Sequence, residues 1–144
     1  MKERKFQVGV KALILNENKE IIVLKTNPTE LKGGTPVHWD LLGGRIKEGS
    51  NIADTLFDEV EEELGVTSLK IVKLFDAIVS NIKVPDGREK LGLLLLTYLC
   101  RLRTKAEFKL SFEHTEYKWV SLTEAKELLS FKFPESFVDK LDTL

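Results

Sequence analysis

Residues 43–66, GGRIKEGSNIADTLFDEVEEELGV, restrict the rest of the chain more than any other stretch. A glycine pair opens the segment, a turn with another glycine follows, and then comes a short helix crowded with acid. At roughly 100° per residue, Ile52, Ala53, Leu56, Phe57, Val60 and Leu64 fall on one arc and predict a core-facing side. Ser50 or Asn51 can cap the start, and Gly65 ends the helix as a left-handed residue does. Glu59, Glu62 and Glu63 stand at i, i+3 and i+4, so their carboxylates share a second arc beside the first. Like charges at this spacing repel, and Asp58 and Glu61 add to the repulsion. A hard divalent cation bound through oxygen would offset it. A solvated acidic face is the alternative, and the glycines at fixed distance on either side weigh against it.

The remaining chain reads as a scaffold. With 144 residues and a formal net charge of −1, it is long enough for one domain with a proper core, taken as residues 1–144. Balanced charge gives no support to a nucleic-acid or membrane-surface role. The stretch MKERKF is basic but lacks the apolar run of a signal peptide, and the longest apolar run, residues 91–100, is too short to span a bilayer. Cys100 is alone and fits a reducing cytoplasm. Residues 6–15 and 21–25 read as strands around a turn, 27–38 as a loop with Pro28, Gly33, Gly34 and Pro36, and 39–42 as a short strand. Residues 69–82 are mostly β-like, 84–90 (VPDGREK) form a turn, and 91–103 suit a strand buried on both faces. Residues 116–120 read as a strand. Ser121 or Thr123 then caps a helix over 124–129, and 135–144 is a last amphipathic helix. Phe133 and Phe137 either border a cleft or fill the core.

The 43–66 segment resembles the Nudix box: Gly, five residues, Glu, seven residues, Arg-Glu, an aliphatic, any residue, Glu-Glu, any residue, Gly, an aliphatic. Gly44, Glu59, Val60, Glu62, Glu63, Gly65 and Val66 match with the spacing intact. Ser50 stands where the first Glu belongs, Asp58 where the Arg belongs, and Leu42 where many members carry Pro. The resemblance implies an α/β fold, a Nudix-type α/β/α sandwich with a mixed β-sheet. It also implies hydrolysis of a nucleoside diphosphate linked to another moiety, such as a nucleoside triphosphate, by water attack at phosphorus. Mg²⁺, with Mn²⁺ as substitute, is the implied cofactor. Glu62, Glu63 and the Gly43 carbonyl are its implied ligands, with Glu59 as ligand or base.

The same resemblance points to Glu113, ahead of Trp119, as a loop acid that completes the metal site or acts as base, with Glu116 as the fallback. Lone His114 is the weaker candidate. Lys25, Lys32, His38 and Trp39 are candidates for holding phosphate or base, with Gly44 and Arg45 beside them. The implied partner is a small-molecule nucleotide, and pairing into a homodimer through apolar edge strands stays open. Ser50 and Asp58 keep a second reading in play, a non-catalytic nucleotide-binding or regulatory module. An isomerase on this scaffold would want a reactive cysteine, which Cys100 in a buried strand does not offer.

Overall fold

The computed structural model describes residues 2–144. Alternation of apolar residues in the first two strands dictates the layering. Along β1 (Phe6–Ile14), Val10, Ala12 and Ile14 face one core while Leu13, followed by Leu15 just past the strand, faces the other. In β2 (Glu20–Thr26), Ile22 and Leu24 join the first core, and Ile21 and Val23 the second. Successive side chains of a strand point to opposite faces, so strands apolar at nearly every position must be covered on both sides. One cover is α1 (Ile52–Leu64), through Leu56, Val60 and Leu64. The other comes from α2 (Leu122–Leu129) and α3 (Glu135–Lys140), through Ala125, Leu129, Phe137 and Val138.

Two sheets lie between these covers. In the larger, β4 (Leu42–Arg45) pairs with β1, β1 with β7 (Glu89–Leu102), and β7 with β5 (Leu69–Val79); β6 (Val84–Asp86) adds to β7. The β1–β7 pair is parallel and the others antiparallel, so the sheet is mixed. In the smaller sheet β2 lies between β3 (Trp39–Asp40) and β8 (His114–Ser121). This is the α/β sandwich with a mixed sheet that the sequence implies.

Local details differ from the sequence expectations, each for a physical reason. The short strand over 39–42 divides at Leu41: Trp39 and Asp40 pair with β2, whereas Leu42 onward pairs with β1 in the other sheet. That crossover carries the glycine pair from one sheet to the other. The VPDGREK turn is a hairpin, β6 and β7 joined at Gly87 with φ +60°. Strand β5 ends at Val79, and the final helix stops at Lys140 before a 3-10 turn, Leu141–Thr143. Asn51, not Ser50, caps α1 by accepting from the Asp54 amide at 2.8 Å; Ser121, not Thr123, caps α2. Ser50 instead shares a hydrogen bond with the Thr55 hydroxyl at 2.9 Å. Gly65 closes α1 at φ +69°, donating to the Glu61 carbonyl.

The buried arc of α1 is also rotated from the expected one. Phe57 is 41% exposed and Ala53 is exposed, while Thr55 and Glu63 are buried. The helix therefore presses one edge of its acidic arc, not its full apolar width, against the sheet. No helix among the described residues is long and apolar enough to cross a membrane.

Candidate active site

The site begins with backbone that only glycine can supply. Gly43, opposite Lys11 in the β1–β4 pair, has φ +144°, and a Cβ there would lie 1.9 Å from the Val10 carbonyl oxygen. At Gly44 a Cβ would come within 2.6 Å of the Glu59 carboxylate. The pair thus brings β4 into direct contact with α1. Helix α1 then presents its acids to β4: the Gly43 amide donates to Glu63 Oε1 at 2.7 Å.

Glu63 is only 2% exposed. Its other oxygen lies 3.4 Å from His114 Nδ1, which is buried and makes no hydrogen bond. The loop before β8 delivers Glu113, and the strand's first residue is His114; the loop is held by Ser111 donating its amide to the Glu63 carbonyl and Asn27 donating to the carbonyls at Phe112 and Glu113 through side chain and amide. One donor atom each from Glu63, Glu113 and His114 falls within a mutual 4.8 Å.

Burial pushes the Glu63 carboxyl up to about 8, against the pull of Lys11 and the Gly43 amide. Burial likewise lowers His114 to about 4. Near neutral pH the pair is therefore largely uncharged, and the Glu63 carboxyl proton is the nearest donor to His114 Nδ1, across 3.4 Å, too long for a strong hydrogen bond. A buried polar atom satisfied so poorly costs up to the roughly 1–3 kcal/mol of an orphaned one, and a cation held at this group, with its bound water, would remove that cost. Donor chemistry and geometry both fit a divalent ion here. Glu59 is half-buried, and its carboxyl is raised first by burial and then by the charges of Glu62 and Glu113. Glu62 itself is exposed.

The residues expected to hold substrate lie on β2, β3, β4 and the 27–38 loop. His38 is buried, and its Nδ1 lies 2.8 Å from the Pro36 carbonyl. A carbonyl only accepts, so Nδ1 carries the proton and Nε2 is the acceptor in the neutral ring. Burial lowers its pKa, and the ring packs on Phe131 at 4.9 Å between centroids. Lys25 and Lys118 both lie over Trp39, at 5.9 and 4.9 Å from its ring centroid. Arg45 ends β4, exposed opposite Gly9, and Lys32 is exposed in the 27–38 loop. Glu116 is exposed opposite Lys25 on β2, outside the donor group that includes Glu113. Phe133 and Phe137 are fully buried and stacked in the core, not at a cleft. Cys100 is buried and its thiol is pushed up to about 12, so it is chemically inert.

Behind Glu63 lies an ionic cluster that the sequence reading does not include. Asp40 Oδ2 accepts from Lys11 Nζ at 3.0 Å and from Lys132 Nζ at 2.5 Å, and Lys11 also donates to the Leu41 carbonyl. All three side chains are buried. Burial alone would raise the Asp40 carboxyl, but the two ammoniums hold it well below the usual carboxylate range. Burial depresses Lys132 to about 8, whereas for Lys11 the same penalty is outweighed by Asp40 and Glu63, leaving it above its ordinary value. Lysines inside apolar strings, VGVKALIL and FKF, are the available signal, because an unpaired buried charge is too costly to persist.

Comparison with known proteins places the chain in a family. The model of the NUDIX domain matches residues 5–141, and the chain belongs to that family. The bis(5'-nucleosyl)-tetraphosphatase [asymmetrical] of Mus musculus is 30% identical over 98 residues, which span 66% of this chain and 63% of the mouse protein. Among solved structures, a MutT protein from Methanosarcina mazei Go1 is 26% identical with a TM-score of 0.68, covering 99% of this chain and 95% of its own. The E. coli dihydroneopterin triphosphate pyrophosphohydrolase shares the fold at a TM-score of 0.72 and 16% identity, covering 99% and 97%.

Proposed function

We propose that the chain is a Mg²⁺-dependent hydrolase of phosphoric anhydride bonds in nucleotides, acting on a nucleoside diphosphate linked to a further group. The convergence of Glu63, Glu113 and His114 beneath the Gly43–Gly44 backbone carries this reading. Glu63 and Glu113 would hold the ion together with Glu59 or Glu62, and the Gly43 carbonyl is a further oxygen available at that edge. Such an ion acts as a Lewis acid toward phosphate oxygens and lowers the pKa of bound water. Mg²⁺ favours oxygen donors, so His114 Nδ1 serves to accept a hydrogen bond from water beside the ion. Mn²⁺, more tolerant of nitrogen, is the natural substitute.

Glu59 is the base in this proposal. Half-burial and neighbouring acids raise its pKa above the ordinary carboxylate value, which makes it a stronger base toward an attacking water, with Glu113 alongside. The Lys25–Trp39–Lys118 stack and the His38–Phe131 wall supply cations and flat rings for phosphate and base. Substrates to rank first are dinucleoside polyphosphates, following the mouse relative, and nucleoside triphosphates. The 144 residues are taken as one catalytic unit. A cytoplasmic setting is part of the proposal and rests on the lone reduced Cys100.

The test is phosphate and nucleotide release from a panel of dinucleoside polyphosphates, nucleoside triphosphates and nucleoside diphosphate sugars, with Mg²⁺, Mn²⁺ or EDTA. The proposal expects turnover with metal alone and none in E63Q. Absence of turnover on the whole panel with either metal, accompanied by nucleotide binding, would replace it by the non-catalytic module that Ser50 and Asp58 suggest.

A further inference from the structure

A concavity of about 630 Å³ lies away from the acidic helix. It is built where the β1–β2 turn, the end of β7 and the 103–108 loop meet. Its aromatic wall is Trp119 with Phe108, whose rings are 6.1 Å apart. Along β8, Trp119 is five residues beyond His114 and pairs with Ile22, whereas His114 pairs with Thr26. At about 3.3 Å per residue the two positions are roughly 15 Å apart. None of Glu59, Glu63, Glu113 or His114 lines this cavity.

Charge distinguishes it from an ordinary surface groove. Arg101, Arg103 and Lys105 line it, and Glu17 is the only acid that does. Among the described residues, none of these three cations reaches a carboxylate within ion-pairing distance, while Lys118, Lys126 and Lys140 elsewhere in the fold each do. Arg101 near the end of β7 and Arg103 and Lys105 in the loop after it meet at this one cavity, so the chain gathers like charges at one mouth and leaves them uncompensated. Such a concavity raises the local concentration of anions. A half-buried indole beside it offers a flat apolar surface on which an aromatic ring stacks, worth about 1–3 kcal/mol per base in nucleic-acid sites. The volume lies within the range of small-ligand sites, about 300–1,000 Å³.

We infer that this cavity is a second ligand site, separate from the metal-binding cleft, for an anion carrying a planar apolar group, of the nucleoside monophosphate class. The cations take the phosphate, and Trp119 with Phe108 takes the base. Nothing in this inference depends on catalysis at Glu63. An occupied second site would let a nucleotide act on the protein without entering the cleft.

The test uses the full chain labelled with ¹⁵N. The two tryptophans give two indole signals, and W119F assigns them. Adenosine monophosphate is titrated in EDTA, so that no divalent ion takes part. The Trp119 indole is expected to shift saturably at sub-millimolar to millimolar nucleotide. In R101E/R103E, where both exposed side chains reverse charge, the affinity falls about tenfold or more by loss of phosphate attraction. R101Q/R103Q falls less and guards against a folding defect. Adenosine alone and inorganic phosphate alone bind more weakly than the nucleotide. A Trp119 signal that stays still, or an identical titration in both double variants, overturns the site. Phosphate matching the nucleotide overturns its aromatic half, and adenosine matching it overturns the anionic half. The Trp39 indole reports the cleft in the same spectra, so failure there is read separately.

Discussion

Two buried ionic groups lie side by side in this protein, and they are finished to different degrees. Around Asp40 the account is closed: one carboxylate meets two ammoniums at hydrogen-bonding distance, and Lys11 also reaches a carbonyl. Around Glu63 it is open. A carboxyl is pushed up to about 8, a histidine is pushed down to about 4, and an imidazole nitrogen has no partner. The first cluster is complete as architecture, whereas the second is the one that could take a ligand. Lys11 joins them, because its positive charge acts on both Asp40 and Glu63. With Lys11 and Lys132 both protonated, one carboxylate leaves one positive charge over, and ionised Glu63 would balance it.

Breaking each group in turn should give opposite results. In E63Q, turnover with Mg²⁺ is expected to fall about a thousandfold or more, as for loss of an essential charge-stabilising group, while the metal-free protein is no less stable than wild type. D40N should behave the other way. It strands two buried ammoniums, and breaking a buried ion pair from one side costs about 3–5 kcal/mol, read as a lower urea midpoint with the slope unchanged. Equal destabilisation by the two variants would erase the distinction.

The acidity of Glu63 sharpens the same contrast. Its folded pKa is above its unfolded value, so the folded state holds a proton that the unfolded state has already lost. Its stabilisation is therefore present below the unfolded value near 4.5 and disappears as pH rises toward the folded value of about 8. Between pH 6.5 and 8, metal-free wild type should lose on the order of 1–2 kcal/mol relative to E63Q. His114 acts below this window: with its folded pKa depressed, stability falls as pH drops from about 6.5 toward 4. Asp40, depressed by its lysines, has the opposite sign from Glu63, and its contribution is lost only in strong acid. Divalent metal should stabilise wild type more at pH 8 than at pH 6.5, because the ligand must be deprotonated.

Much of this contrast lies beyond what the sequence can be made to say. Spacing is local information, so the glycine pair, the acid run and the Gly65 cap are all legible in residues 43–66. Which acid is buried is not. The apolar arc nominates Phe57 for the core, yet the helix rolls toward β4 until Glu63 is covered and Phe57 is exposed, because Gly44 lets Glu59 and its neighbours close on the strand. His114 looks like a lone histidine until β8 pairs with β2 and brings it beside an acid 51 residues away on another element. Lys11 interrupts an apolar strand and can be flagged from sequence, but Asp40 becomes its partner only through the sheet-to-sheet crossover at Leu41, and Lys132 joins Asp40 from the segment between α2 and α3. Glu113 is preferred to Glu116 in the sequence only by resemblance; the structure places Glu113, and not Glu116, in the donor group.

The smallest expected effect concerns the residue that stands in place of the family's arginine. Asp58 is exposed beside Glu59, and a surface charge acts through well-screened solvent. D58R should therefore change kcat by about threefold, upward, by relieving the repulsion among the acids. A larger gain would mean that Asp58 limits the native site, and no change would leave the acids of α1 insensitive to their nearest exposed neighbour.

The most direct measurement is anomalous diffraction from a crystal soaked in Mn²⁺ at pH 8. One peak is expected, within coordination distance of Glu63 and Glu113 and adjacent to His114 Nδ1, with none at Asp40. An empty map around Glu63 at millimolar Mn²⁺, with His114 Nδ1 still unpartnered, would contradict the claim that this group is left open for an ion.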